Sequence, residues 1–216
     1  MSTLISASNL THSFDNVLFS NVNLNLKQKE SIAILGPSGS GKSTLINILS
    51  TLLPPKKGEV SLAGINNIYS QKESKILNIR KNEIGIIFQN HYLFRGFNAL
   101  ENLKVASLLT NKEIDFTLLE ILGINHLLNH QIGELSGGEQ QRFSIARVLL
   151  KKPKIIFADE PTGNLDNFNT LNVMEAIFKY IKDYEGVLIT ATHDISVANM
   201  CSRKYMLENG ELKPWS

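Results

Sequence analysis

Apolar and polar residues alternate along the chain with two distinct periods. Val22, Leu24 and Leu26 are separated by Asn and Lys, the period-two pattern of a half-buried strand, and Glu59 to Leu62 is a second short candidate. These two predict a partly antiparallel edge. Ile32 to Leu35, Ile84 to Phe88, Ile155 to Ala158 and Val187 to Thr190 are instead short, nearly unbroken apolar runs. Such runs fit parallel strands covered on both faces, the mark of an α/β sheet. Helical spacing appears over Ser43 to Leu53, stopped by Pro54 and Pro55, and again over Thr170 to Ile181. Between Arg95 and Lys152 no strand pattern occurs, while Leu100 to Leu109, Phe116 to Leu122 and Glu139 to Leu150 all suit helices. The pattern predicts a single unit: a core formed by residues 1–94 and 153–216, with a helical lobe inserted over about 95–152.

Bulk properties narrow the function. The 216 residues are 43% apolar and 19% charged, the usage of an ordinary soluble globular domain. A net charge of +2 lacks the field that sequence-independent phosphate-backbone binding needs, so no nucleic-acid partner is expected. One cysteine, Cys201, cannot form an intrachain disulfide. Residues 1–7 lack the basic cluster and apolar run of a secretory signal. No apolar run approaches the ~20 residues of a membrane span, so any crossing is expected to come from a partner.

Chemistry concentrates in two places on this pattern. Gly36-Pro37-Ser38-Gly39-Ser40-Gly41-Lys42-Ser43 fits G-x-x-x-x-G-K-[ST], with Thr44 following, and it sits between an apolar strand and an amphipathic helix. Glycines let the backbone wrap a phosphate, and the amides at the helix N-terminus present positive partial charge. Lys42 can reach the terminal phosphates of a nucleotide, and Ser43 can coordinate Mg²⁺. Downstream, the buried run Ile155 to Ala158 ends in Asp159 and Glu160, at the strand end where open α/β sheets hold ligands. Asp159 is placed to serve the metal shell, and Glu160 to orient or deprotonate an attacking water.

Leu135-Ser136-Gly137-Gly138-Glu139-Gln140-Gln141-Arg142 opens a helix with an S-x-x-E capping box, yet places two poor helix formers in the first turn. This octapeptide resembles the signature motif of the ATP-binding cassette ATPases. The other elements of that family occur in the expected order: Gln89 after the Ile84 run, Asp166 in Gly163-Asn-Leu-Asp166, and His193 in Thr192-His193-Asp194. The resemblance spans Leu4 to about Lys213. It implies an α/β P-loop NTPase cassette with a RecA-like core, an antiparallel β subdomain and an inserted α-helical subdomain.

The same resemblance implies ATP and Mg²⁺ as cofactors, with Ser43, Gln89 and Asp159 around the metal. Glu160, His193, Gln89 and Lys42 would be the catalytic set. Ser136, Gly137, Gly138, Glu139 and Asp166 would meet the nucleotide of a second copy, in a head-to-tail homodimer with two sandwiched ATP molecules. Phe14 occupies the adenine-stacking position, where the family usually has tyrosine; a phenyl ring can still stack.

Glu160-Pro-Thr-Gly-Asn-Leu-Asp166 resembles the lipoprotein-releasing, macrolide/peptide-efflux and cell-division branches. Phe88 to Leu93 and Gly96 to Asn102 are most similar to the lipoprotein-releasing branch. That branch implies integral membrane permease subunits as partners, lipoprotein cargo handled by the complex, and a peripheral position on the cytoplasmic face of a bacterial inner membrane. Two local expectations follow. No proline lies between Asn102 and Leu109, which leaves the start of that helix to be set by other means. The apolar cluster His91, Tyr92, Leu93, Phe94 and Phe97 is expected to meet a cytoplasmic helix of the membrane subunit.

Overall fold

The computed structural model describes residues 2–215. Among them β1 (Thr3–Ser13), β2 (Val17–Lys27) and β4 (Lys57–Leu62) form an antiparallel three-stranded sheet ordered β2-β1-β4. A six-stranded sheet is ordered β5-β6-β7-β3-β8-β9, from β5 (Ile84–Ile87), β6 (Ile155–Asp159), β7 (Val187–Ala191), β3 (Ser31–Leu35), β8 (Arg203–Glu208) and β9 (Glu211–Pro214). Its pairs are parallel except the β8-β9 hairpin. The helices are α1 (Lys42–Leu49), α2 (Glu73–Asn82), α3 (Ala99–Thr110), α4 (Phe116–Ile121), α5 (Gly137–Leu149), α6 (Asn167–Asp183) and α7 (Ile195–Met200).

The apolar runs bury both faces of the large sheet, as unbroken runs must. Ile155 and Phe157 point into a core shared with α1 and the antiparallel sheet. Ile156 and Ala158, one step out of phase, point into a second core with α3, α5 and α6. The helical residues 95–152 therefore share the sheet's own core.

One predicted helix end differs, and one helix start left open in the sequence is set by a cap. The Ser43 to Leu53 reading overshoots, because α1 stops at Leu49 and Thr51 turns left-handed at φ 71° before the prolines are reached. Arg80 Nε donates to Thr51 Oγ1 at 2.8 Å, holding that turn. The start of α3, which lacks a proline, is set by a capping box: Asn98 Oδ1 accepts from Glu101 N, and Glu101 Oε2 accepts from Asn98 N, both at 2.8 Å. No helix among the described residues is long and apolar enough to cross a membrane.

Candidate nucleotide site

The strand ends converge on a cleft of about 470 Å³. Its floor is the loop from Gly36 to Thr44, between β3 and α1. Gly36, Gly39 and Gly41 all have φ between 80° and 154°. At Gly36 a Cβ would also lie 2.4 Å from the carbonyl oxygen of Leu207 in β8, so the loop passes where only glycine fits. Gly41 caps α1 without a side-chain acceptor, leaving the first amides of the helix free for a ligand. Lys42 Nζ donates to the carbonyls of Gly36 at 2.8 Å and Pro37 at 3.0 Å, which holds the ammonium across the loop. Ser38, Ser43 and Thr44 line the cleft, while Pro37 and Ser40 belong to the loop without facing the space.

The far wall carries the acids. Burial pushes the Asp159 carboxyl above the usual range; a hydrogen bond with Ser43 opposes this, Glu160 adds to the rise and Lys42 lowers it. A half-buried carboxylate paired with a serine hydroxyl, open to a phosphate-sized space, is a hard oxygen donor set that fits Mg²⁺. Among the described residues no cluster of three or more His, Cys, Asp and Glu could hold a metal without help.

Glu160 occupies the left-handed region at φ 48°, a costly conformation for glutamate, and its amide donates to Ala191 O at 2.9 Å. This backbone turn aims the side chain at the loop after β7. Glu160 Oε1 lies 2.9 Å from His193 Nδ1, and Oε2 lies 3.4 Å from the Thr192 hydroxyl. The carboxylate is 15% exposed and the imidazole 76%. The ring's second nitrogen is thus left free for a ligand in the cleft. Gln89, directly after β5, lines the same space.

Phe14 stands at the mouth, 66% exposed, so it is not a core ring. His12 lies beneath it with ring centroids 5.0 Å apart in an edge-to-face arrangement. His12 is 3% exposed, neither nitrogen has a hydrogen-bond partner, and burial followed by the Lys56 charge holds its pKa down. Leu18 of β2 also lines the cleft, beside Gly41. Sequence reasoning missed Leu18; the only signal was its place in the apolar run after the Phe14 turn.

The remaining predicted residues lie elsewhere. Ser136 to Glu139 and Asp166 do not line this cleft. Ser136 caps α5, its Oγ accepting from Glu139 N at 3.3 Å while Glu139 Oε2 accepts from Ser136 N at 2.8 Å. That backbone bond leads the causes holding the Glu139 carboxyl below its usual range. At Gly138 a Cβ would lie 3.2 Å from Leu165, whereas at Gly137 it would meet nothing within 4 Å. Asp166 caps α6 by accepting from Asn169 N at 2.8 Å, and Asn169 in turn accepts from Arg142 of α5 at 3.2 Å.

Known proteins resemble this chain in sequence and in fold. The ABC transporter family model matches residues 19–163. A lipoprotein-releasing system ATP-binding protein LolD from Bdellovibrio bacteriovorus is 39% identical, over 88% of this chain and 89% of its own length. The protein of that name from Rickettsia bellii is 42% identical over 88% and 86%. Among solved structures, the dimeric ATP-binding cassette MJ0796, in a post-hydrolysis state with ADP and inorganic phosphate, superposes with a TM-score of 0.88 at 32% identity, covering 97% of this chain and 96% of that one. With its phosphate loop, acidic strand end and capped Ser-Gly-Gly helix in the family's order, the chain belongs to the ABC transporter ATP-binding cassettes.

Proposed function

We propose that this chain is the ATP-hydrolysing subunit of a lipoprotein-releasing ABC transporter, acting as a head-to-tail homodimer beneath integral membrane permease subunits on the cytoplasmic face of the inner membrane. The observation that carries the reading is the split site. The cleft holds the phosphate loop, Asp159, Glu160 and His193, while Ser136 to Glu139 lie outside it. Among the described residues, a Cβ at Gly137 would meet nothing within 4 Å. A bare first turn with free amides is what a second copy's γ-phosphate would approach.

The chain's own groups supply the chemistry. On ATP binding, Lys42 exchanges the Gly36 and Pro37 carbonyls for phosphate oxygens, a charge-assisted replacement. Asp159, Ser43 and Gln89 would hold Mg²⁺ together with the phosphates, and the ion would supply neutralisation of the charge that develops during phosphoryl transfer. Glu160 orients the attacking water and accepts its proton, and His193, fixed through Nδ1, presents Nε2 to the γ-phosphate and the water. Phe14 stacks on adenine.

The partner surface is the apolar cluster of the sequence reading. Tyr92, Phe94 and Phe97 are exposed, while Leu93 packs inward. Phe94 lines a groove with the apolar Val105, Ala106, Leu109 and Val148 and the basic Arg80, Lys81, Arg147 and Lys151. That groove receives the cytoplasmic helix of the permease.

Isolating the complex from native membranes tests the reading. Copurification of permease subunits, together with lipoprotein retention in the inner membrane on depletion, is expected. Filamentation on depletion without lipoprotein retention would move the chain to the cell-division branch.

A further inference from the structure

His91 lies two residues past Gln89, outside the cleft, and its half-buried ring joins three segments. Nδ1 is 3.3 Å from Gln140 Oε1 in α5, and Nε2 is 3.3 Å from Asn164 Nδ2 in the turn before Asp166. Arg147 Nη2 donates to the His91 carbonyl at 3.2 Å. The amide of Gln140 is oriented by its own bond, Nε2 donating to Leu135 O at 2.9 Å, so only its oxygen faces the ring. An amide oxygen only accepts, so Nδ1 carries the proton. Nε2 is then the lone-pair nitrogen, which is what the Asn164 amino group needs. One neutral tautomer satisfies every partner.

We propose that His91 is a positioning residue for the ATPase cycle. Its Nδ1–H tautomer locks the segment carrying Gln89, the helix opened by Ser136 and the turn carrying Asp166 into one unit. Leu135 and Gln140 bracket the Ser-Gly-Gly turn, and Asn164 precedes Asp166 by two residues, so both elements expected to face the second copy are held from one ring. The exposed Tyr92 and Phe94 follow His91 directly, which ties the permease-facing patch to the same unit. This inference rests on the head-to-tail pairing proposed above.

Two measurements on the full chain test it. Long-range ¹H–¹⁵N correlation spectra of the nucleotide-free protein are expected to report protonated Nδ1 and bare Nε2 at His91; the opposite tautomer overturns the lock. In steady-state kinetics, each lost neutral hydrogen bond is worth about fivefold. His91→Ala should lower kcat about five- to tenfold with KM for ATP within about twofold. His91→Asn, which keeps a donor near Nδ1, should recover part of the loss. Adding Asn164→Ala to His91→Ala should cost nothing further, since the bond that Asn164→Ala removes is already lost with the ring. Wild-type kcat in His91→Ala, or fully additive losses, would overturn the proposal. Should His91→Ala not fold, Asn164→Ala alone carries the kinetic test, with about a threefold to fivefold fall in kcat expected and no change refuting it. If the tautomer is as stated but Glu160→Gln forms no ATP-dependent dimer, the pairing fails and the role of His91 in the cycle falls with it, while the three-segment contact stands.

Discussion

His193 Nδ1 lies 2.9 Å from Glu160 Oε1, tying the carboxylate at the end of β6 to the loop that follows β7. The contact exists because Glu160 is held at φ 48°, which turns its side chain across the sheet end instead of along it. The fold itself therefore sets the acid and the imidazole of the cleft side by side. Such preorganisation is where much of an enzyme's electrostatic advantage comes from.

Glu160→Gln keeps the shape and the Thr192 contact but removes the proton acceptor. Turnover should fall between about 100-fold and 10,000-fold with ATP binding retained. An ATP-trapped dimer should then accumulate on size exclusion, and a monomer under saturating Mg-ATP would count against the pairing. The same variant should melt higher than wild type without nucleotide, because Glu160 helps raise the Asp159 carboxyl from its normal range.

Phe14→Ala should raise KM for ATP about fivefold and leave kcat nearly unchanged, since a phenyl ring has no polar group to offer the phosphates or the attacking water. Phe14→Tyr should restore the wild-type value. An unchanged KM in the alanine variant would remove Phe14 from the base site.

His12 is buried with a lowered pKa, so the unfolded chain binds its proton more readily than the fold does. Stability must then fall as pH drops below about 6.5 toward the folded pKa, and this contribution is complete above that window. The difference in melting temperature between pH 7.5 and pH 5.5 should shrink in His12→Leu. Equal differences in the two proteins would show that the imidazole takes up its proton as readily in the fold as in the unfolded chain.

Phe94→Glu places a carboxylate at the groove mouth without touching the cores. The variant should bind ATP with wild-type affinity and lose copurification with the permease. Unchanged assembly would place the partner elsewhere.

The parallel sheet was readable because buried strands write unbroken apolar runs, and the phosphate loop because its glycines and lysine have no other common use. β1 was not readable. Its register shifts between Ala7 and Leu10 and again before His12, with Asn9 at φ 53°, so the period-two pattern never accumulates. α2 escaped because it buries only Ile79 and leaves Leu77 in solvent. At the site, motif order gave the residues but not their mutual arrangement. The Glu160 to His193 contact spans 33 positions and the His91 to Asn164 contact 73, distances across which no local pattern carries information.

The separation of Ser136 to Glu139 from the chain's own cleft has a genetic corollary. Take two inactive alleles, one altered at Lys42 and one at Ser136. In the head-to-tail pair proposed above, a mixed dimer would carry both lesions in the same composite pocket and assemble the other pocket wholly from intact segments. Cells carrying both alleles should then regain partial activity, whereas two alleles damaged in the same segment should stay silent together.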